Sequence, residues 1–105
     1  MLTKEQMTAY RAKPKRIDVP ELGECFIRLL SEAEVQDGMR IGEKDIAASR
    51  AYAVAHSLCD EVGERIFADK DDAAQLPFIA FMAIYNESML HNRLRVEDEE
   101  KPPKN

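Results

Sequence analysis

The side chains able to do chemistry in this chain are few: two histidines, His56 and His91, and two cysteines, Cys25 and Cys59. His56 and Cys59 stand three residues apart, with Asp60 beside them, so on a helix they would be neighbours. As metal ligands they fall short of the three or four groups that tetrahedral zinc requires, and neither Cys25 nor His91 stands at a motif spacing from them. As nucleophile and base they lack an orienting third group, and a helix interior rarely presents such a pair to a substrate. Core packing of Cys59 is the expectation. The acidic run Asp60, Glu61, Glu64, Asp69, Asp71 and Asp72 suggests calcium, but either frame fails the loop rule: counting from Asp60 puts Val62 at position three, and counting from Asp69 puts Ala73 at five. No glycine-rich phosphate loop and no nucleophile elbow is present. The expectation is a binding protein without catalytic residues, metal or cofactor.

The elements that would carry these residues are mostly helices. Thr3 and Gln6 form a capping box for a short helix that Pro14 ends. From Arg16 the pattern RIDVPELGECFIRLL turns to β-branched and aromatic residues around Pro20 and Gly23, which predicts a hairpin over about 16–30. Ile17 and Val19 share a face of its first strand, and Cys25, Ile27 and Leu29 one face of the second. Ser31 and Glu34 repeat the capping signature, so a helix should start there and stop between Gly38 and Gly42. Residues 43–59 contain no glycine or proline and predict a helix, with Ala47, Ala51, Val54 and Leu58 along one stripe. A turn at Asp60 to Gly63, an apolar plug of Ile66 and Phe67, and an acidic restart at Asp69 follow. The last helix is expected from about Pro77 to Val96. The fold class is therefore α+β, a helix-dominated single domain over 1–96 with one short β-hairpin and three to four helices, followed by a charged tail, 97–105, expected to be disordered.

Composition limits the partners. The 105 residues suffice for one core, and a net charge of −5 with 33% charged residues predicts an acidic surface. Nucleic acid and anionic lipid are poor partners for such a surface, and the only basic cluster, Arg11, Lys13, Lys15 and Arg16, contains no aromatic. No apolar run approaches the roughly 20 residues that cross a bilayer, the amino terminus lacks a signal-peptide core, and two cysteines are too few for a disulfide framework. A cytoplasmic protein with free thiols is expected.

Residues 78–85 are apolar on every side, more than a one-sided surface helix requires. Phe78, Phe81, Met82, Tyr85 and Met89 follow one face and are the candidate partner-binding residues. Ile79, Ala83 and Leu90 follow another. Either this is the central core helix of a small bundle or it also offers a binding face, with the methionines supplying adaptability.

Three segments, in order, resemble the tail assembly chaperones of long-tailed (siphovirus) bacteriophages and prophages: the opening MLTKEQ, then VPELGECFIRLLSEAE, then RAYAVAHSLCDEVGERIFADKD. The resemblance covers about residues 1–76 and extends more loosely to about 95. Leu22 stands where the family often has tryptophan, the 36–45 region is short and glycine-interrupted, and the final helix has its own sequence. The resemblance implies that the chain binds the tape measure protein, with the major tail protein as a further partner, and keeps it soluble in the host cytoplasm before the tail tube polymerises. A small acidic phage or prophage regulatory protein that masks a host protein is the alternative, separable by whether the surface shows one dominant acidic patch or an apolar groove. The hairpin's open edge leaves room for a homo-oligomer.

Overall fold

Helix α1 (Lys4–Ala12) begins where Thr3 accepts from the Gln6 amide and Gln6 reaches back to the Thr3 amide, and α2 (Glu32–Gly42) begins on the same reciprocal pair at Ser31 and Glu34. Between them lies a hairpin, β1 (Lys15–Val19) with β2 (Gly23–Ile27), paired antiparallel so that Ile17 faces Cys25 and Val19 faces Gly23. Its turn places Pro20 and Glu21 at the corners, closed by the Leu22 amide donating to the Val19 carbonyl, with Glu21 and Gly23 both at positive φ. The computed structural model describes residues 1–95; the expected tail, 97–105, and Val96 lie outside the described residues.

The remaining elements are α3 (Ile46–Ser57), β3 (Leu58–Cys59), α4 (Lys70–Ala73) and α5 (Phe78–His91). The fold is α+β and helix-dominated, with the hairpin near the amino terminus. Its sheet has three strands in the order β1-β2-β3, all antiparallel. The third strand was not expected, because residues 43–59 read as one helix. Instead the helix stops at Ser57, and Leu58 and Cys59 pair with Ile27 and Phe26, while the Arg28 amide donates to the Ser57 carbonyl. A hairpin edge that would be marginal alone gains a partner this way. The helix also starts later than expected, at Ile46, because the Asp45 carboxylate accepts the Ala48 amide as an N-cap.

Helix α2 stops at Gly42, the far end of the expected bracket, and Gly38 does not interrupt it. Gly38 sits inside the helix, where Ser49 of α3 donates its hydroxyl to the Gly38 carbonyl, and a Cβ at Gly42 would lie 3.2 Å from Ser49 Oγ. The two glycines serve close approach of α2 to α3 rather than chain reversal. The turn after β3 follows expectation: the Asp60 carboxylate accepts the Val62 and Glu64 amides, and Gly63 takes positive φ. Of the apolar plug, Phe67 packs on the core and Ile66 stays exposed. The acidic restart closes a single turn of its own, α4, capped by Asp69, before Pro77 allows α5 to begin.

The core is built from Ile17, Val19 and Ile27 of the hairpin, Val54, Ala55 and Leu58 of α3 and β3, and Ala73, Ala80 and Ile84 of the last two helices. Alanine at 51, 53, 55, 73 and 80 lets α3, α4 and α5 approach closely. Helix α5 ends at His91, earlier than Val96, in a Schellman arrangement: Arg93 takes φ 60°, its amide reaches Leu90, and the Leu94 amide reaches Met89. No helix among the described residues is long and apolar enough to cross a membrane.

Candidate partner-binding site

Helix α5 turns a third face to the core, neither of the two that spacing suggested. Its fully buried residues are Ala80, Ile84 and Ser88, one helical repeat apart, and the Ser88 hydroxyl hydrogen-bonds the buried Ser57 hydroxyl of α3. A helix apolar on every side has no stripe for periodicity to select, so its rotation is decided by Ile84 filling the core while small Ala80 and Ser88 flank it. Both suspected faces are thereby left on the flanks of the helix.

The five candidate residues do not form one surface. Phe78, Phe81 and Met82 line a groove of about 290 Å³ with Arg50 and Ala51 of α3 and Leu76 of the α4–α5 connection. Tyr85 and Met89 line a separate groove of about 220 Å³ between α2, α3 and α5, opposite Val35, Met39 and Tyr52. Between the grooves, the Arg50 guanidinium lies 5.8 Å from the centre of the Tyr85 ring, with Arg95 at 6.0 Å. Phe81 and Tyr85 also lean on the buried core, whereas Phe78 is 75% exposed and its neighbour Ile79 57%. Sequence reasoning placed Ala47 and Ala51 on the apolar stripe of α3 but missed that they wall the first groove with Arg50, because an alanine-rich stripe reads the same whether it packs on the core or borders a groove.

Beneath the second groove lies a charge cluster. Glu34 accepts from Arg11 of α1 at 2.7 Å, stands 2.9 Å from His56 Nδ1 of α3, and has Arg28 at 3.9 Å. Tyr52 stacks on His56 with ring centres 4.1 Å apart and donates its hydroxyl to Asp37. Burial pushes the Glu34 carboxyl upward, but the Ser31 amide, then hydrogen bonds from Arg11 and His56 and the charge of Arg11, outweigh it and hold the group at about 2. The cluster therefore joins α1, α2, α3 and the end of β2 as fixed charge.

The candidate chemistry of His56 and Cys59 is not assembled. His56 faces Glu34, while Cys59 is buried in β3, where burial pushes its thiol up to about 11, with Arg28 pulling it down and Asp60 up. Such a thiol stays protonated at neutral pH and is a poor nucleophile. Cys25, on β2, is free and partly exposed. Among the described residues no group of three or more histidine, cysteine or acidic side chains could hold a metal ion.

Comparison of the chain with protein-family models, curated proteins and solved structures finds no match. The functional reading therefore rests on the chain's own grooves and on the order of its segments.

Proposed function

We propose that this protein is a tail assembly chaperone of the siphophage type, a non-enzymatic protein of the host cytoplasm that binds the tape measure protein, with the major tail protein as a further partner. The observation that carries the proposal is the exposed aromatic start of α5, Phe78, beside an apolar groove on an otherwise acidic protein. A long helical client exposes apolar stripes until the tube covers it, and a groove between helices accepts such a stripe as a helix-in-groove contact. The ordered resemblance of residues 1–76 gives the client its identity. The apolar groove favours this reading over a mask for a host protein, which would need one dominant acidic patch.

The test is co-expression with the tape measure protein from the same genome. The client should stay soluble and co-purify with the chain. The pair F78D and M82S should weaken capture by at least about 100-fold, from roughly 1.5–3 kcal/mol for each of the two large apolar side chains no longer buried. Circular dichroism should show the variant still folded, since Phe78 is exposed. A client equally insoluble with and without the chain, or captured undiminished by the folded variant, would overturn the proposal.

A further inference from the structure

Strand β1 is an open edge of the sheet. Among the described residues β2 pairs with one side of it and no strand pairs with the other. Its inner face is occupied, since Ile17 and Val19 are buried in the core with Ala80 and Ile84 of α5. Its outer face carries Arg16 and Asp18, both exposed. At the turn the Val19 carbonyl accepts the Leu22 amide, so Val19 points its backbone groups toward β2. By antiparallel alternation Ile17 and Lys15 do the same, and Arg16 and Asp18 direct their amides and carbonyls out of the sheet. An edge of this kind is a template for another strand unless its charges repel the newcomer. Here the charges are unbalanced within one chain. Asp18 stands directly opposite Glu24, a like-charge pair that disfavours the hairpin, and the Arg16 guanidinium reaches diagonally to Glu24. Asp18 is left without a cation among the described residues.

We infer that two copies of the chain pair through this edge, β1 against β1 and antiparallel, about a two-fold axis at Ile17 that joins their sheets into one. The pleat and the charges together select that register. Opposed residues on antiparallel strands share a face, so outer Arg16 can meet Arg16 or Asp18 of the second copy but never Ile17. Centring the pair on Arg16 opposes Arg16 to itself and Lys15 to Ile17, and centring it on Asp18 opposes Asp18 to itself. Centring on Ile17 sets Arg16 of each copy opposite Asp18 of the other, with Ile17 opposite Ile17 and Lys15 opposite Val19. Arg16 and Asp18 are also the residues whose backbone groups point outward, so each of these opposed pairs exchanges both of its hydrogen bonds. Asp18 of each copy thereby gains the cation that its own chain does not supply. The same patch serves both partners, so the contact closes as a dimer and does not propagate. It uses none of the residues that line the two α5 grooves, and it stands whether or not those grooves take a client.

Light scattering coupled to size exclusion, on full-length chains over a range of concentrations, tests this. The native chain should reach twice the chain mass and stop there. R16D and D18R should each weaken dimerisation by about tenfold or more, because each converts both inter-copy ion pairs into like-charge pairs. Mixing R16D with D18R should restore a complex of twice the chain mass, since every opposed pair is then Asp against Arg. The double variant R16D/D18R should dimerise alone for the same reason. Both sites are exposed, and far-ultraviolet circular dichroism verifies that each variant is folded. If either single variant fails to fold, R16E and D18K give the same readings. Hydrogen exchange separates edge pairing from any other dimer: the amides at positions 16 and 18 should exchange slowly in the native dimer and rapidly in either single variant. A native chain that stays monomeric, dimerisation undiminished in either single variant, a mixture that yields no complex, or a dimer whose amides at 16 and 18 exchange freely would each overturn the inference.

Discussion

Replacing Glu34 with glutamine isolates charge from geometry, because the amide can still accept the Ser31 amide and complete the α2 cap. What E34Q removes is the anion between Arg11, Arg28 and His56, three partners brought from α1, the end of β2 and α3. The Glu34 side chain is 14% exposed, so solvent screens the cluster weakly. Its carboxyl falls from 4.5 to about 2 in the folded chain. At roughly 1.4 kcal/mol per pKa unit, this corresponds to about 3 kcal/mol favouring the folded, ionised form. Because the folded value is depressed, this stability is fully present above the unfolded value near 4.5 and is lost as pH falls toward 2. E34Q should therefore be about 3 kcal/mol less stable than the native chain at pH 7, and the two should converge to within about 1 kcal/mol near pH 2. Urea unfolding followed by far-ultraviolet circular dichroism at a series of pH values measures both. A difference under about 1 kcal/mol at pH 7, or one that does not shrink on acidification, would refute the account of Glu34 as the anion that holds four elements together.

Two further perturbations probe how the helices meet. S88A alone leaves the buried Ser57 hydroxyl without its partner and should cost about 1–3 kcal/mol, whereas the double change S57A and S88A should cost less than the sum of the singles, a coupling of about 1 kcal/mol in a double-mutant cycle. Gly38 and Gly42 separate on the same logic: a Cβ at Gly38 meets Tyr52 at an ordinary 3.6 Å, so G38A should raise stability by about 0.5–1 kcal/mol through helix propensity. G42A should instead lower thermal stability, because its Cβ meets both Oγ and Cβ of Ser49 at 3.2–3.3 Å.

Local chemistry was legible in the amino-acid sequence because it acts within a turn or two of chain. The capping boxes at Thr3 and Ser31, the hairpin around Pro20 and Gly23, the Asp60 turn and the Pro77 start of α5 all satisfy backbone groups with neighbours three or four residues away. The excess apolar character of residues 78–85 was legible for the same reason, and so was the presence of more greasy surface than one stripe requires.

Which face of α5 is buried, and which is left for a partner, was decided only in three dimensions. A segment apolar all round is equally content in several rotations, and the choice of Ala80, Ile84 and Ser88 came from Ile84 filling the core and Ser88 meeting Ser57 of α3. That rotation divided the five candidate residues between two grooves. The same holds for the third strand, which exists because Ile27 and Phe26 arrive beside Leu58 and Cys59, and for the Glu34 cluster, whose partners Arg11 and His56 lie more than twenty residues away in the chain. The exposure of α1 is likewise tertiary: its pattern reads as an ordinary amphipathic helix, and only the packed body shows Leu2, Met7 and Tyr10 left exposed among the described residues. Periodicity states how much surface must be buried, but the partner is chosen by shape and by charges that meet only after folding.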